Sequence, residues 1–140
     1  MLAALTASNL ARVASFSTTL AQALASLQDV RGLVFFGFPL HAAGKPSVDR
    51  AAHLASVRIP MLFLQGTRDA LADITLVETT VRQLGPPASL TAIQDADHSF
   101  HVPARSGRTD RQVLEGMLDQ SVAWMRALVA AASREVQGIG

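Results

Sequence analysis

The stretch Pro60-Met61-Leu62-Phe63-Leu64-Gln65-Gly66-Thr67-Arg68-Asp69 decides the fold class. Met61 to Leu64 is a short unbroken apolar run, with Pro60 before it and Gly66 after it. A run of that length between breakers predicts a strand buried on both faces. A helical pattern follows from Leu71 to Leu84, where Ile74, Val77, Val81 and Leu84 recur at helical spacing, and Gly85-Pro86-Pro87 stops it. Asp69 therefore falls in the turn at the carboxyl end of a parallel strand. Open α/β sheets gather ligands and catalytic groups at that edge.

Working outward, the pattern repeats. Ser89 to Ile93 reads as a second strand, followed by Asp95-Ala96-Asp97-His98-Ser99-Phe100 and a helix from about Asp110 to Ser133. Leu114, Met117, Leu118, Trp124, Met125, Leu128 and Val129 supply the buried side of that helix, with Thr109 or Asp110 as its cap. Upstream, Gly32 to Phe36 is a third strand, ended by Gly37 and Pro39. A short helix from Val48 to Val57 follows, with Ser47 as N-cap; His53 inside it reads as solvated or packed. Strands alternating with helices predict a three-layer αβα arrangement around a small parallel sheet with right-handed crossovers.

Two neighbouring strand ends bring Asp69 and His98 together. A carboxylate that accepts from one imidazole nitrogen fixes the tautomer and leaves the other nitrogen as a base. At these residues a resemblance becomes specific. Gly66-Thr67-Arg68-Asp69 and Asp97-His98-Ser99-Phe100 resemble the acid and histidine motifs of the α/β-hydrolase superfamily, in the chain order of its second and third triad members. Gly32-Leu33-Val34-Phe35-Phe36-Gly37-Phe38-Pro39-Leu40-His41, with Gly44-Lys45-Pro46, is similar to the dienelactone-hydrolase-like branch that includes testis-expressed and NSL-complex-subunit hydrolase-like proteins. His101-Val102-Pro103 and Ser106-Gly107-Arg108-Thr109 fit the same branch. The resemblance covers roughly residues 30 to 128. It implies the carboxyl-terminal half of an α/β-hydrolase fold over residues 29–137. It also implies Asp69 and His98 as catalytic residues, and a serine acyl-enzyme route to hydrolysis of an ester, thioester or lactone.

The nucleophile is the missing part. In the superfamily it sits in a G-x-S-x-G elbow between a strand and a helix. Gly32 is the first glycine here; Ser8, Ser15, Ser17 and Ser26 precede it, and no G-x-S-x-G follows. Residues 1–28 match nothing in the branch and carry one charge, Arg12, placed as neither a secretory signal nor a transit peptide would place it. Leu10, Val13, Ser17, Leu20, Leu24 and Leu27 recur at spacings of three and four, which predicts a leading amphipathic helix. A helix cannot supply ladder hydrogen bonds, so the strand from Gly32 to Phe36 would keep a bare edge, and a homodimer through that edge is expected. A non-catalytic interaction module on the same scaffold is the alternative function.

The loop from Phe38 to Pro46 leaves at the same edge as Asp69, which makes Phe38, Leu40 and His41 candidates for lining a substrate pocket. Asp95, Asp97, His98 and His101 lie close enough in sequence to raise a zinc site, but the triad-type motif explains His98 without one, and no metal is expected. No phosphate-cradling loop is present, and no cofactor is implied. Hydrophobic residues make up 49% of the chain and charged ones 16%, as in a globular domain. A net charge of +1 without a basic, aromatic-interleaved patch argues against nucleic acid. No apolar run approaches the ~20 residues that span a bilayer. The absence of cysteine excludes disulfides and fits the cytoplasm.

Overall fold

The computed structural model describes residues 2–6, 11–14 and 30–137. Its elements run β1 (Leu2–Thr6), β2 (Ala11–Ala14), β3 (Val30–Phe36), a 3-10 helix (Asp49–Ser56), β4 (Met61–Gly66), α1 (Ile74–Leu84), β5 (Ala88–Ile93), a short 3-10 turn (Ala104–Ser106) and α2 (Asp110–Gln137). The strands form one sheet in the order β2-β1-β3-β4-β5. β3, β4 and β5 are parallel, with Phe35 beside Phe63 and Phe63 beside Leu90. All six residues of β4 are buried, as its apolar run requires of a strand covered on both faces.

Alternation along the strands divides the core in two. Leu33, Phe35, Met61 and Phe63 point to one face, where Leu54 of the 3-10 helix and Val77 of α1 cover them. Phe63 stacks on Phe35, with ring centroids 4.6 Å apart, and Phe38 meets both rings edge-on. Val34, Leu62, Leu64 and Ile93 point to the other face, under Val113 and Met117 of α2. Further along α2, Trp124 and Leu128 close over Gly32; a Cβ there would lie 2.8 Å from an atom of each. Three layers result, as the alternating pattern predicts.

Local signals set the helix ends. α1 starts at Ile74 rather than Leu71, because Asp73 caps it: its Oδ1 accepts from the N–H groups of Thr75 and Leu76. α2 opens with a reciprocal capping box. Thr109 Oγ1 accepts from the Gln112 N–H, and Gln112 Oε1 accepts from the Thr109 N–H. The stretch expected as a short helix from Val48 is a 3-10 helix; Ser47 Oγ accepts from the Asp49 N–H just before it.

Three expectations need correction. The leading amphipathic helix over 1–28 is strand at Leu2–Thr6 and Ala11–Ala14; the rest of that stretch, including most of the predicted stripe, lies outside the described residues. The physical reason is the ladder: β3 offers a row of backbone groups that only another strand can pair. The bare edge expected on β3 is accordingly occupied. β1 pairs with it antiparallel, Ala3 opposite Val34 and Leu5 opposite Gly32. On α2, Met117 is buried and Trp124 is half-buried, but Leu114, Leu118 and Val129 are exposed. Val113 and Ser121 take the inward positions instead, the Ser121 hydroxyl donating to the Met117 carbonyl.

Candidate active site

Asp69 and His98 stand at the carboxyl ends of adjacent strands, and two stitched loops bring them together. After β4 the chain turns at Gly66. The Thr67 N–H donates to the Ile93 carbonyl and the Arg68 N–H to the Ala96 carbonyl; the Asp95 N–H answers to Thr67 Oγ1. These bonds lay the loop after β5 directly over Gly66. A Cβ at Gly66 would sit 2.4 Å from the Ala96 carbonyl oxygen and 2.6 Å from that of Asp97. Both obstructions are backbone, so no side-chain movement would relieve them.

The histidine loop is wound around Asp97. Its Oδ1 accepts from the N–H groups of Ser99 and His101, and its own N–H donates to the His101 carbonyl. Phe100 completes the turn at φ +64°, a left-handed conformation uncommon for a bulky residue. Such strain persists only where the surrounding structure holds it. The ring of His98 lies against Gly37, at the end of β3, where φ is +65° and a Cβ would approach the ring to 3.6 Å.

The resulting pair is close and asymmetric. His98 Nδ1 is 2.8 Å from Asp69 Oδ2. The Asp69 side chain is fully buried, while that of His98 is 39% exposed. Asp69 Oδ1 accepts from the Leu71 N–H at 2.8 Å, and Oδ2 accepts a second bond from Gln65 Nε2 at 2.5 Å. A sealed carboxylate with three donors accepts from Nδ1–H and leaves Nε2 of an accessible imidazole with its lone pair. That is the arrangement of a histidine base and its orienting acid.

The other sequence candidates sit elsewhere. Phe38 is 3% exposed and Leu40 1%; both belong to the core under α1. Phe38 packs edge-on against Phe35 and Phe63, and Leu40 belongs to the same core cluster. His41 is buried with both ring nitrogens engaged. Its Nε2 accepts from the Asp73 N–H at 2.8 Å, so Nδ1 carries the proton and donates to the Ala42 carbonyl. It is a latch between the loop after β3 and the start of α1. Of the four residues considered for zinc, the two histidines have other partners: His98 turns to Asp69, and His101 turns to Asp110, 2.7 Å away. Among the described residues no group of three or more His, Asp or Glu is placed to hold a metal.

The His101–Asp110 pair is exposed and fastens the loop to α2, Asp110 also accepting from the Val102 N–H. The hydrogen bond that Asp110 accepts, its charge and that of Asp97 raise the His101 pKa above the ordinary 6.5. The bond from the Val102 N–H and that from His101 hold Asp110 below the ordinary 3.8.

Sequence reasoning missed Gln65 and Asp73. A lone Gln in an apolar strand was a signal for the first: a polar side chain at a buried position has to be satisfied there. A family model described as alpha/beta hydrolase domain matches residues 9–126. The match begins inside the segment 1–28, which none of the quoted motifs reaches. No solved structure matches the chain.

Proposed function

The chain belongs to the alpha/beta hydrolase domain family, and on that premise we propose a protein built for ester, thioester or lactone hydrolysis like the dienelactone-hydrolase-like branch, with Asp69 and His98 as acid and base and with no G-x-S-x-G elbow to supply the serine. The observation that carries this reading is the 2.8 Å contact between a fully buried carboxylate and an accessible imidazole at adjacent strand ends. In the reaction His98 Nε2 takes the proton of a serine hydroxyl as the oxygen attacks the carbonyl carbon. Asp69 stabilises the imidazolium that forms. His98 then returns the proton to the departing alcohol or thiol. The same base activates the water that releases the acid product.

A second reading has its own support. The chain carries no G-x-S-x-G, and an antiparallel strand, β1, stands beside β3. A scaffold with acid and base but no elbow serves as a binding module. Cytoplasmic placement is part of the proposal and rests on the cysteine-free composition. Among the described residues no helix is long and apolar enough to cross a membrane.

Labelling of the purified chain with a fluorophosphonate probe separates the two readings. The hydrolase predicts a labelled serine, located by peptide mapping, and loss of labelling in His98→Ala. A folded wild-type sample that takes no label, and hydrolyses no p-nitrophenyl ester, sinks the hydrolase and leaves the module.

A further inference from the structure

Gln65 is fully buried on β4, on the same face as Met61 and Phe63. That face is otherwise the apolar core under α1. A carboxamide there is costly unless both of its ends are bonded. Both are. Oε1 accepts from the Phe38 N–H at 2.9 Å, and Nε2 donates to Asp69 Oδ2 at 2.5 Å.

The two bonds define each other. A backbone N–H can only donate, so the amide oxygen faces Phe38 and the NH2 group faces Asp69. The NH2 group can only donate in turn, so Asp69 Oδ2 must be an acceptor on that side. The same oxygen receives His98 Nδ1, while Oδ1 receives the Leu71 N–H. The rotation of the carboxylate is thereby set from two directions.

We infer that Gln65 is the positioning residue of the acid–histidine pair: it holds the Asp69 carboxylate so that Oδ2 meets His98 Nδ1 and the imidazole keeps its Nδ1–H form. This rests on the reading of Asp69 and His98 as acid and base. Gln65 touches neither the imidazole nor a reacting atom; it acts through Asp69. Its other end reaches the loop after β3, so the same amide ties that loop to the acid.

The test is nitrogen-15 NMR of the imidazole in the whole chain, compared among wild type, Gln65→Met and Gln65→Glu. Gln65→Met removes both bonds at nearly constant volume. Gln65→Glu keeps an acceptor for the Phe38 N–H but sets a second carboxyl against Asp69 Oδ2, where the two must share a proton. Wild type is expected to show a His98 protonated on Nδ1 with a downfield proton, and both variants a mixture of the two tautomers. A merely structural role for Gln65 predicts that a folded Gln65→Met keeps the wild-type His98 signals, and that result overturns the proposal. If neither variant folds, the wild type decides. A single Nδ1-protonated His98 together with a slowly exchanging Gln65 NH2 supports the proposal; a His98 that samples both tautomers beside an intact Gln65 refutes it. None of these signals requires catalysis, so a chain that takes no fluorophosphonate can still show Gln65 in this role. In a chain that takes the probe, Gln65→Met slows labelling.

Discussion

Asp69 and His101 show how differently two polar contacts can act in neighbouring loops. Asp69 is sealed and held by Gln65, Leu71 and His98, which gives it one orientation. His101 and Asp110 face water, so their bond answers to pH. The raised His101 pKa means that its contribution is full below 6.5 and is lost as pH rises through the higher folded value. The depressed Asp110 pKa means that its contribution is full above 3.8 and is lost as pH falls through the lower folded value. The tether is complete between those two ordinary values. Urea midpoints of wild type and Asp110→Asn, measured across pH, should differ most in that window. The gap should narrow as pH climbs past it. A gap that widens above neutral pH contradicts the assignment.

Among the elements, α2 has an apolar arc wider than its contact with the sheet. Val113, Met117 and Ser121 face β3 and β4, while Leu114, Leu118 and Val122 follow one position on and lie exposed. Helical spacing marks the whole arc as apolar but cannot say which half meets the sheet. The two halves should differ in energy. Met117→Ala should cost roughly 2–5 kcal/mol, since it empties a fully buried site. Leu118→Ala should stay within about 0.5 kcal/mol of wild type, because its side chain is already half in water. Urea denaturation of both variants measures the contrast; equal losses would place α2 in a different rotation on the sheet.

For the molecule as a whole, the decisive feature is a mixed sheet in place of a bare three-stranded one. β1 lies between β2 and β3 and pairs with both, Ala4 opposite Arg12 on one side and Leu33 on the other. Cross-strand nuclear Overhauser contacts from Ala4 to both residues are expected, whereas a helix would give contacts three residues along the chain. Among the described residues the outer strands of the sheet are β2 and β5. The β3 edge expected to be bare is covered by β1.

The sequence by itself determined the parallel half of the sheet and the acid–histidine pair. Met61 to Leu64 is a continuous apolar run between the breakers Pro60 and Gly66, and Asp69 and His98 each follow a strand. Those signals are local, and each lies within a few residues of what it specifies. Tertiary structure alone decided the rest. Leu2 to Thr6 became a strand because β3 left backbone groups to pair, which no spacing within residues 1–28 records. Phe38 and Leu40 went to the core because Phe35 and Phe63 stood opposite them, and Gln65 found its partners in Phe38 and Asp69 across a turn and a neighbouring loop. Short-range patterns encode the conformation of an element. Which face it buries, and what its polar groups meet, depends on residues distant in the chain.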